Sequence, residues 1–429
     1  NFSIIYKYKM KSPVIHDIEK ISFSPPEQFT LANNLSVYGF NGAKNDILRI
    51  DIVFDSGRWT EPAALIAESV SKLFKSGTAT STSFELNEQI ESYGSTIRAS
   101  SGYNTFTVSA YCMNRFLEPT LQLLRTCLTE IVFPKNEIEL LQKNALSKLK
   151  VRKEKNDYLA DVAFKKNVFG EQHPYGYETT EETIQLISQE LLMQFYKNDL
   201  TPSNATVFIA GKYGEKELSV IEKYLGTWTT PSSQHSTISH KLHQGFAQNN
   251  IHLKKPNSVQ ASIIIGKEFF NKHQEDYASF VLLNTIFGGY FGSRLMSNIR
   301  EDKGLTYGIY SSLATLKHSG IFSIQTDTNL ENLDVCLREI YFEMERLQTE
   351  TIPKEEIKLA RNYLLGKFLG RTDGPFNKIE VFKSYFIENL PINKFEEFVE
   401  TIRQTDALSL QQLAQKYFTK DSMCEVVVG

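Results

Sequence analysis

The stretch Phe133-Pro134-Lys135-Asn136-Glu137-Ile138-Glu139-Leu140 returns in the second half of the chain as Ile352-Pro353-Lys354-Glu355-Glu356-Ile357-Lys358-Leu359. The register continues without a gap, with Leu146 and Lys148 matching Leu365 and Lys367. Proline at the first helical position followed by acidic residues signals a helix start, and the apolar spacing beyond it suits an amphipathic helix in each copy. Upstream, the helix-like stretches 116–131 and 333–347 each follow a strand-like one. Downstream, a helical 191–196 leads to a strand at 205–211, much as 408–418 leads to 424–429. Ile50, Ile52 and Phe54 alternate with Arg49, Asp51 and Asp55, which predicts a strand with one wet face, and Phe106, Val108 and Ala110 predict another. Between the two sets runs 227–236, polar and Ser/Thr-rich, with no apolar periodicity until about Ile251. One order of elements written twice is a duplication. The expected fold class is α+β, with two homologous α/β domains, each a mainly antiparallel sheet packed with helices. The expected boundaries are a first domain at 1–226, a linker at 227–250 and a second domain at 251–429.

Length agrees with that division, because 429 residues exceed a single compact core and suit two domains of roughly 200 residues. A hydrophobic share of 41% with 23% charged residues describes a globular chain, and a net charge of -3 gives no overall basic field for nucleic acid or anionic lipid. Cys112, Cys127, Cys336 and Cys424 are scattered without a CxxC pair, so they are expected as reduced core residues, with a Cys112–Cys127 bridge as the alternative. No apolar run reaches the roughly 18 residues of a membrane span, and Asn1–Lys7 lacks a secretory pattern. The expected location is cytoplasmic, although the first methionine is Met10 and a processed leader stays open.

The densest motif is Phe291-Gly292-Ser293-Arg294-Leu295-Met296-Ser297-Asn298-Ile299-Arg300-Glu301-Asp302-Lys303-Gly304-Leu305-Thr306-Tyr307-Gly308-Ile309-Tyr310. It resembles the second-domain signature of the insulinase/pitrilysin zinc-peptidase family, in particular the mitochondrial-processing-peptidase-like branch, where a Ser-Arg-Leu helix ends in Arg-Glu-x-x-Gly-Leu-x-Tyr. With the repeat and His173-Pro174-Tyr175-Gly176, the likeness covers nearly the whole chain. The resemblance implies a clamshell-type arrangement in which Arg300 and Tyr307 hold a peptide near a zinc site across a chamber. A guanidinium and a phenol are fixed donors suited to a peptide carbonyl and its developing oxyanion. The structural alternative is a surface arginine at a helix end and a tyrosine at the start of a strand. Gly288-Gly289-Tyr290-Phe291-Gly292 lacks the spacing and the Lys-Ser/Thr of a phosphate-binding loop, and is expected as a loop opening a helix.

Active members of that family carry His-x-x-Glu-His on a first-domain helix ahead of a Leu-Phe-Lys-Gly-Thr-like turn, with a further Glu from a later helix. Two imidazoles then face one zinc ion and the Glu acts as general base. Here the turn survives as Leu73-Phe74-Lys75-Ser76-Gly77-Thr78, and counting back from it places Ala67, Val70 and Ser71 at the His, Glu and His positions. No histidine occurs between His16 and His173, and the later helix reads Lys143-Asn144-Ala145-Leu146-Ser147-Lys148-Leu149-Lys150-Val151-Arg152-Lys153. Cations there would repel a divalent metal. His240 and His243 stand three apart in or beside the linker with no nearby carboxylate partner, and His173 precedes a proline in an expected loop. No metal or other cofactor is expected on this chain.

These readings lead to a chain inactive by itself. The first expectation is the non-metal subunit of a heteromeric peptidase, with zinc on a homologous partner or with self-association, and with peptides as substrate. The second is a structural or peptide-binding protein of the same fold, as the core subunits of the cytochrome bc complex are. An active peptidase with an unrecognised site is the third.

Overall fold

In the computed structural model, residues 18, 21–230, 240 and 246–429 are described. The first half builds a six-stranded sheet from β1 (Glu27–Thr30), β2 (Ser36–Asn41), β3 (Ile47–Phe54), β4 (Thr96–Ser101), β5 (Phe106–Met113) and β6 (Ala205–Gly211), in the order β1-β2-β6-β3-β5-β4. The second half builds a five-stranded sheet from β7 (Asn250–Leu253), β8 (Gln260–Phe269), β9 (Ile309–Thr315), β10 (Gly320–Asn329) and β11 (Cys424–Val428), in the order β7-β11-β8-β10-β9. Remove the edge strand β1 and the two orders are the same. Their directions agree as well: β2 with β6 and β7 with β11 are the parallel pairs, and the remaining pairs are antiparallel. The α+β duplication is therefore written in the hydrogen-bonded topology of both sheets.

Helices complete the correspondence. The repeated motif forms the helices Lys135–Lys153 and Lys354–Arg371. Their prolines stand one position earlier than the sequence suggests: Pro134 (φ -58, ψ 142) and Pro353 (φ -59, ψ 141) are the capping residues, in the extended region, and the first helical residue follows. Proline suits that position because its fixed φ is compatible and it has no N–H to leave unsatisfied.

The halves exchange a helix. The first-half helix Asn156–Phe169 lies on β8 and β11, and the second-half helix Gly374–Phe386 lies on β2 and β6. Ala160, Phe164 and Val168 recur every four residues and form one buried stripe that meets Ile264, Val426 and Val428 of the second sheet. Each such Phe or Val contributes about 1.5–3 kcal/mol by leaving water. The fit leaves no room on β8, where a Cβ on Gly266 would stand 2.2 Å from the Phe322 carbonyl oxygen and 3.0 Å from the Phe164 ring. Reciprocally, Phe382 packs its ring 5.1 Å from Tyr38, and Phe386 stands 5.3 Å from Phe208.

This exchange corrects the wet face expected for β3. Asp51 is only 1% exposed, because the helix Gly374–Phe386 covers it and Lys383 forms an ion pair with it. Arg49 adds a pair to Asp51 at 2.9 Å and one to Glu380 at 2.6 Å. Burial opposes the charge on Asp51, and the Lys383 ammonium and Arg49 guanidinium overcome it, holding the carboxyl below its usual range. Trp228, assigned to the linker, is fully buried in the first-half core, 6.0 Å from Phe54, with its carbonyl accepting from the Asn33 side chain at 2.9 Å. Residues 231–239 and 241–245, the rest of that expected linker ahead of Phe246, lie outside the described residues, as do His16, His243 and Met10. All four cysteines are free and buried. Among the described residues no helix is long and apolar enough to cross a membrane.

Candidate functional site

The helix Ile66–Lys72 carries Ala67, Val70 and Ser71, the positions set above against the His, Glu and His of the zinc motif. It is entered through Leu65, whose φ of 72 puts the chain in the left-handed region. Ala67 and Val70 are fully buried in the first-half core together with Leu149 of the later helix, and the Ser71 hydroxyl donates to the Glu68 carbonyl at 2.7 Å. These side chains do not fit a zinc ion, since two are apolar and the third is engaged with its own helix. The later helix presents Lys143, Lys148, Lys150, Arg152 and Lys153 to solvent. Among the described residues no cluster of three His, Cys, Asp or Glu could hold a metal. The Leu73–Thr78 turn keeps its shape: Leu73 and Phe74 are buried, Gly77 takes a φ of 142 that only glycine adopts easily, and Val132 donates to its carbonyl at 3.2 Å.

Sequence reasoning missed what organises the start of this helix. Glu61 accepts from the Ala67 amide at 2.9 Å and from the Tyr177 hydroxyl at 2.6 Å, and that hydroxyl accepts from the Leu65 amide at 3.3 Å. A carboxylate on the free amides of a helix N-terminus satisfies donors the helix cannot. Burial pushes the Glu61 carboxyl up to about 7, against the hydrogen bonds from Tyr177 and Ala67 and the charge of Arg58. The Arg58 guanidinium sits over the Tyr177 ring at 4.3 Å, beside a cleft of about 390 Å³. The only signal in the sequence was a glutamate shortly before a helix, which is too common to single out. His173 is buried and stacks on Phe169 with ring centres 5.7 Å apart, and His240 places Nε2 2.9 Å from the Trp59 carbonyl oxygen.

The other predicted pair is brought together. Arg300 lies on the π-helical segment Met296–Asp302, and Tyr307 lies in the turn leading to β9. Arg300 Nε donates to the Tyr307 carbonyl at 3.0 Å, so the arginine supports the backbone that carries the phenol. Tyr307 is 93% exposed. A side chain that large is held in water only by its backbone, and the turn is pinned from several sides. Thr306 donates to the Asp327 carbonyl at 2.7 Å, Thr328 to the Leu305 carbonyl at 2.7 Å, and Leu305 to the Ile299 carbonyl at 2.9 Å. Beneath the segment Asn298 donates to Glu343 at 2.8 Å, Lys303 pairs with Glu339 at 2.7 Å, and Arg294 makes a two-pronged contact with Glu356 at 2.8 and 3.0 Å. Nearby, Gly308 and Tyr310 line a cleft of about 550 Å³ together with Arg152, Lys155, Asp157, Tyr158 and Asp161 of the first half. Arg300 and Tyr307 thus stand on the surface, while Ala67 and Val70 lie in the core of the other half.

Two related sheets, an exchanged helix pair and a metal helix without ligands define a zinc-peptidase-like fold that has lost its zinc motif. The chain belongs to the insulinase family: the model described as Insulinase (Peptidase family M16) matches residues 41–174, and that described as Peptidase M16 inactive domain matches 187–364. An uncharacterized zinc protease YmxG of Bacillus subtilis is 22% identical over 83% of this chain and 86% of its own length. A non-peptidase homolog YmxG of Helicobacter pylori is 24% identical over 70% of this chain and 69% of its own length. Among solved structures, a peptidase M16 inactive domain from Pseudomonas fluorescens superposes with a TM-score of 0.84 at 20% identity, covering 94% of this chain and 98% of that one. A Helicobacter pylori protease gives a TM-score of 0.84 at 16% identity, covering 95% and 100%.

Proposed function

We propose that this chain is the non-metal-binding, substrate-gripping subunit of a heteromeric metalloendopeptidase acting on peptides. A homologous partner supplies the zinc, and Arg300 and Tyr307 supply donors to the peptide. The observation that carries the reading is the contrast between the two halves. The Arg300–Tyr307 turn is held by many hydrogen bonds while leaving the phenol in water, whereas Ala67, Val70 and Ser71 have become core and helix-bonded positions. A tyrosine held 93% exposed on a pinned turn leaves its phenol free to meet a ligand. The four free, buried thiols accord with a reducing, cytoplasmic location.

The test is metal content and peptide cleavage for the chain alone and then mixed with a zinc-bearing homologue. The expected result is no zinc and no cleavage alone, with cleavage by the mixture that exceeds that of the homologue by itself. Stoichiometric zinc with cleavage by the isolated chain would overturn the reading. A mixture no faster than the homologue alone would favour a structural or peptide-binding protein of the same fold.

A further inference from the structure

Next to the Arg300–Tyr307 turn, the second half exposes large apolar side chains that its own fold does not use. Phe291 is 58% exposed, Leu359 64% and Tyr363 41%. Leu359, Tyr363 and Lys367 follow at every fourth residue of the helix Lys354–Arg371, so they form one row on its face. Tyr290, adjacent in sequence to Phe291, places its ring 5.1 Å from that of Tyr363. Cations lie beside the rings: the Arg300 guanidinium is 4.9 Å from the Phe291 ring centre and the Lys367 ammonium 6.0 Å from that of Tyr363, while the exposed Glu355 stands one turn before Leu359. Among the described residues Lys367 has no ion-pair partner, and the acid nearest Arg300, Glu301, is 3.9 Å away on the next residue. The equivalent helix of the first half has Asn144 where Tyr363 stands, so the ring is particular to the half that carries the exposed phenol.

We propose that this strip is the docking surface for an extended peptide that carries aromatic or large aliphatic side chains beside a carboxylate. The proposal rests on the gripping role assigned above and names the class of peptide it selects. Rings left in water gain by being covered with apolar side chains, and offset or edge-on aromatic contacts add to the area term. Lys367, without an ion-pair partner among the described residues, sets the charge that the occupant brings beside Tyr363: a carboxylate there meets a free cation, and an ammonium meets repulsion.

The test is fluorescence anisotropy of the full chain with three labelled peptides of otherwise Gly/Ser sequence: one with Phe beside Glu, one with Ala beside Glu, and one with Phe beside Lys. The Phe-Glu peptide should bind tightest. Tyr363→Ser should weaken it roughly tenfold and leave the Ala-Glu peptide unchanged. Leu359→Ser, on an exposed helical position, serves as the second variant and should act in the same direction. Lys367→Glu should remove the preference for Glu over Lys. Equal binding of all three peptides, or Tyr363→Ser and Leu359→Ser both binding as the parent does, overturns the strip while leaving the grip in place if Arg300→Ala still weakens binding. Absence of binding by any peptide overturns the grip and the strip together. A change in oligomeric state with Tyr363→Ser, without any change in peptide affinity, would assign the strip to a second copy of the chain and likewise overturn it.

Discussion

At the scale of single residues, loss of the metal site is deeper than the absence of ligands. Ala67 and Val70 are packed into the core, so restoring the motif means placing an imidazole and a carboxylate where apolar side chains now close the interior. The triple variant Ala67→His, Val70→Glu, Ser71→His should lose roughly 3 kcal/mol or more of stability and bind zinc well below one equivalent, read by denaturant titration and elemental analysis. Stable, stoichiometric zinc binding would contradict the packing account. Glu61 makes a second prediction. Its carboxyl, ordinarily near 4.5, is pushed up to about 7, so the unfolded chain ionises first. The stability it contributes is fully present below the unfolded value and is lost as pH rises through the folded one. The Tm of Glu61→Gln should therefore gain on that of the parent between about pH 5 and about pH 8. A Tm difference that stays flat across that window would count against the shift. The helix carrying Ala67 and Val70 was legible because it runs into the Leu73-Phe74-Lys75 turn; Glu61 was not, because its meaning depends on Tyr177, which is distant in sequence and adjacent only in the fold.

Among elements, the exchanged helices decide how the halves hold together. Alternation along β3 predicted the strand but assigned Asp51 to water, since period-two patterning records polarity and cannot tell solvent from a buried charge partner. Lys383 is equally opaque on its own helix, where a lone lysine reads as surface. Together they form a buried ion pair across the halves. Lys383→Met leaves Asp51 buried without its main counter-charge and should cost about 3–5 kcal/mol, whereas Asp51→Leu combined with Lys383→Met should recover most of that loss. Equilibrium unfolding of the single and double variants checks this, and a double variant as unstable as the single would show that the helix is held by something else. The same reasoning explains Trp228: a polar, Ser/Thr-rich neighbourhood hid an indole that closes the first-half core.

For the whole molecule, a repeat of a few residues in sequence proved to be a repeat of topology, strand by strand. Local signals carried that far because helix starts and terminal strands are encoded within a few residues of one another. The helix exchange needed contacts between residues roughly a hundred or more apart, and no local pattern reports those. Duplication also frames an asymmetry between the halves, since one buries Ala67 and Val70 in its core while the other keeps a pinned and exposed phenol. The proposed role of the second half is to grip peptide for chemistry performed on another chain. Its most direct measurement is kcat/KM for peptide cleavage by the zinc-bearing homologue mixed with this chain, compared with the same mixture carrying Arg300→Ala. Loss of a fixed donor to the reacting peptide should lower it by about a hundredfold with complex formation intact. A mixture whose kcat/KM is unchanged by Arg300→Ala would contradict that role.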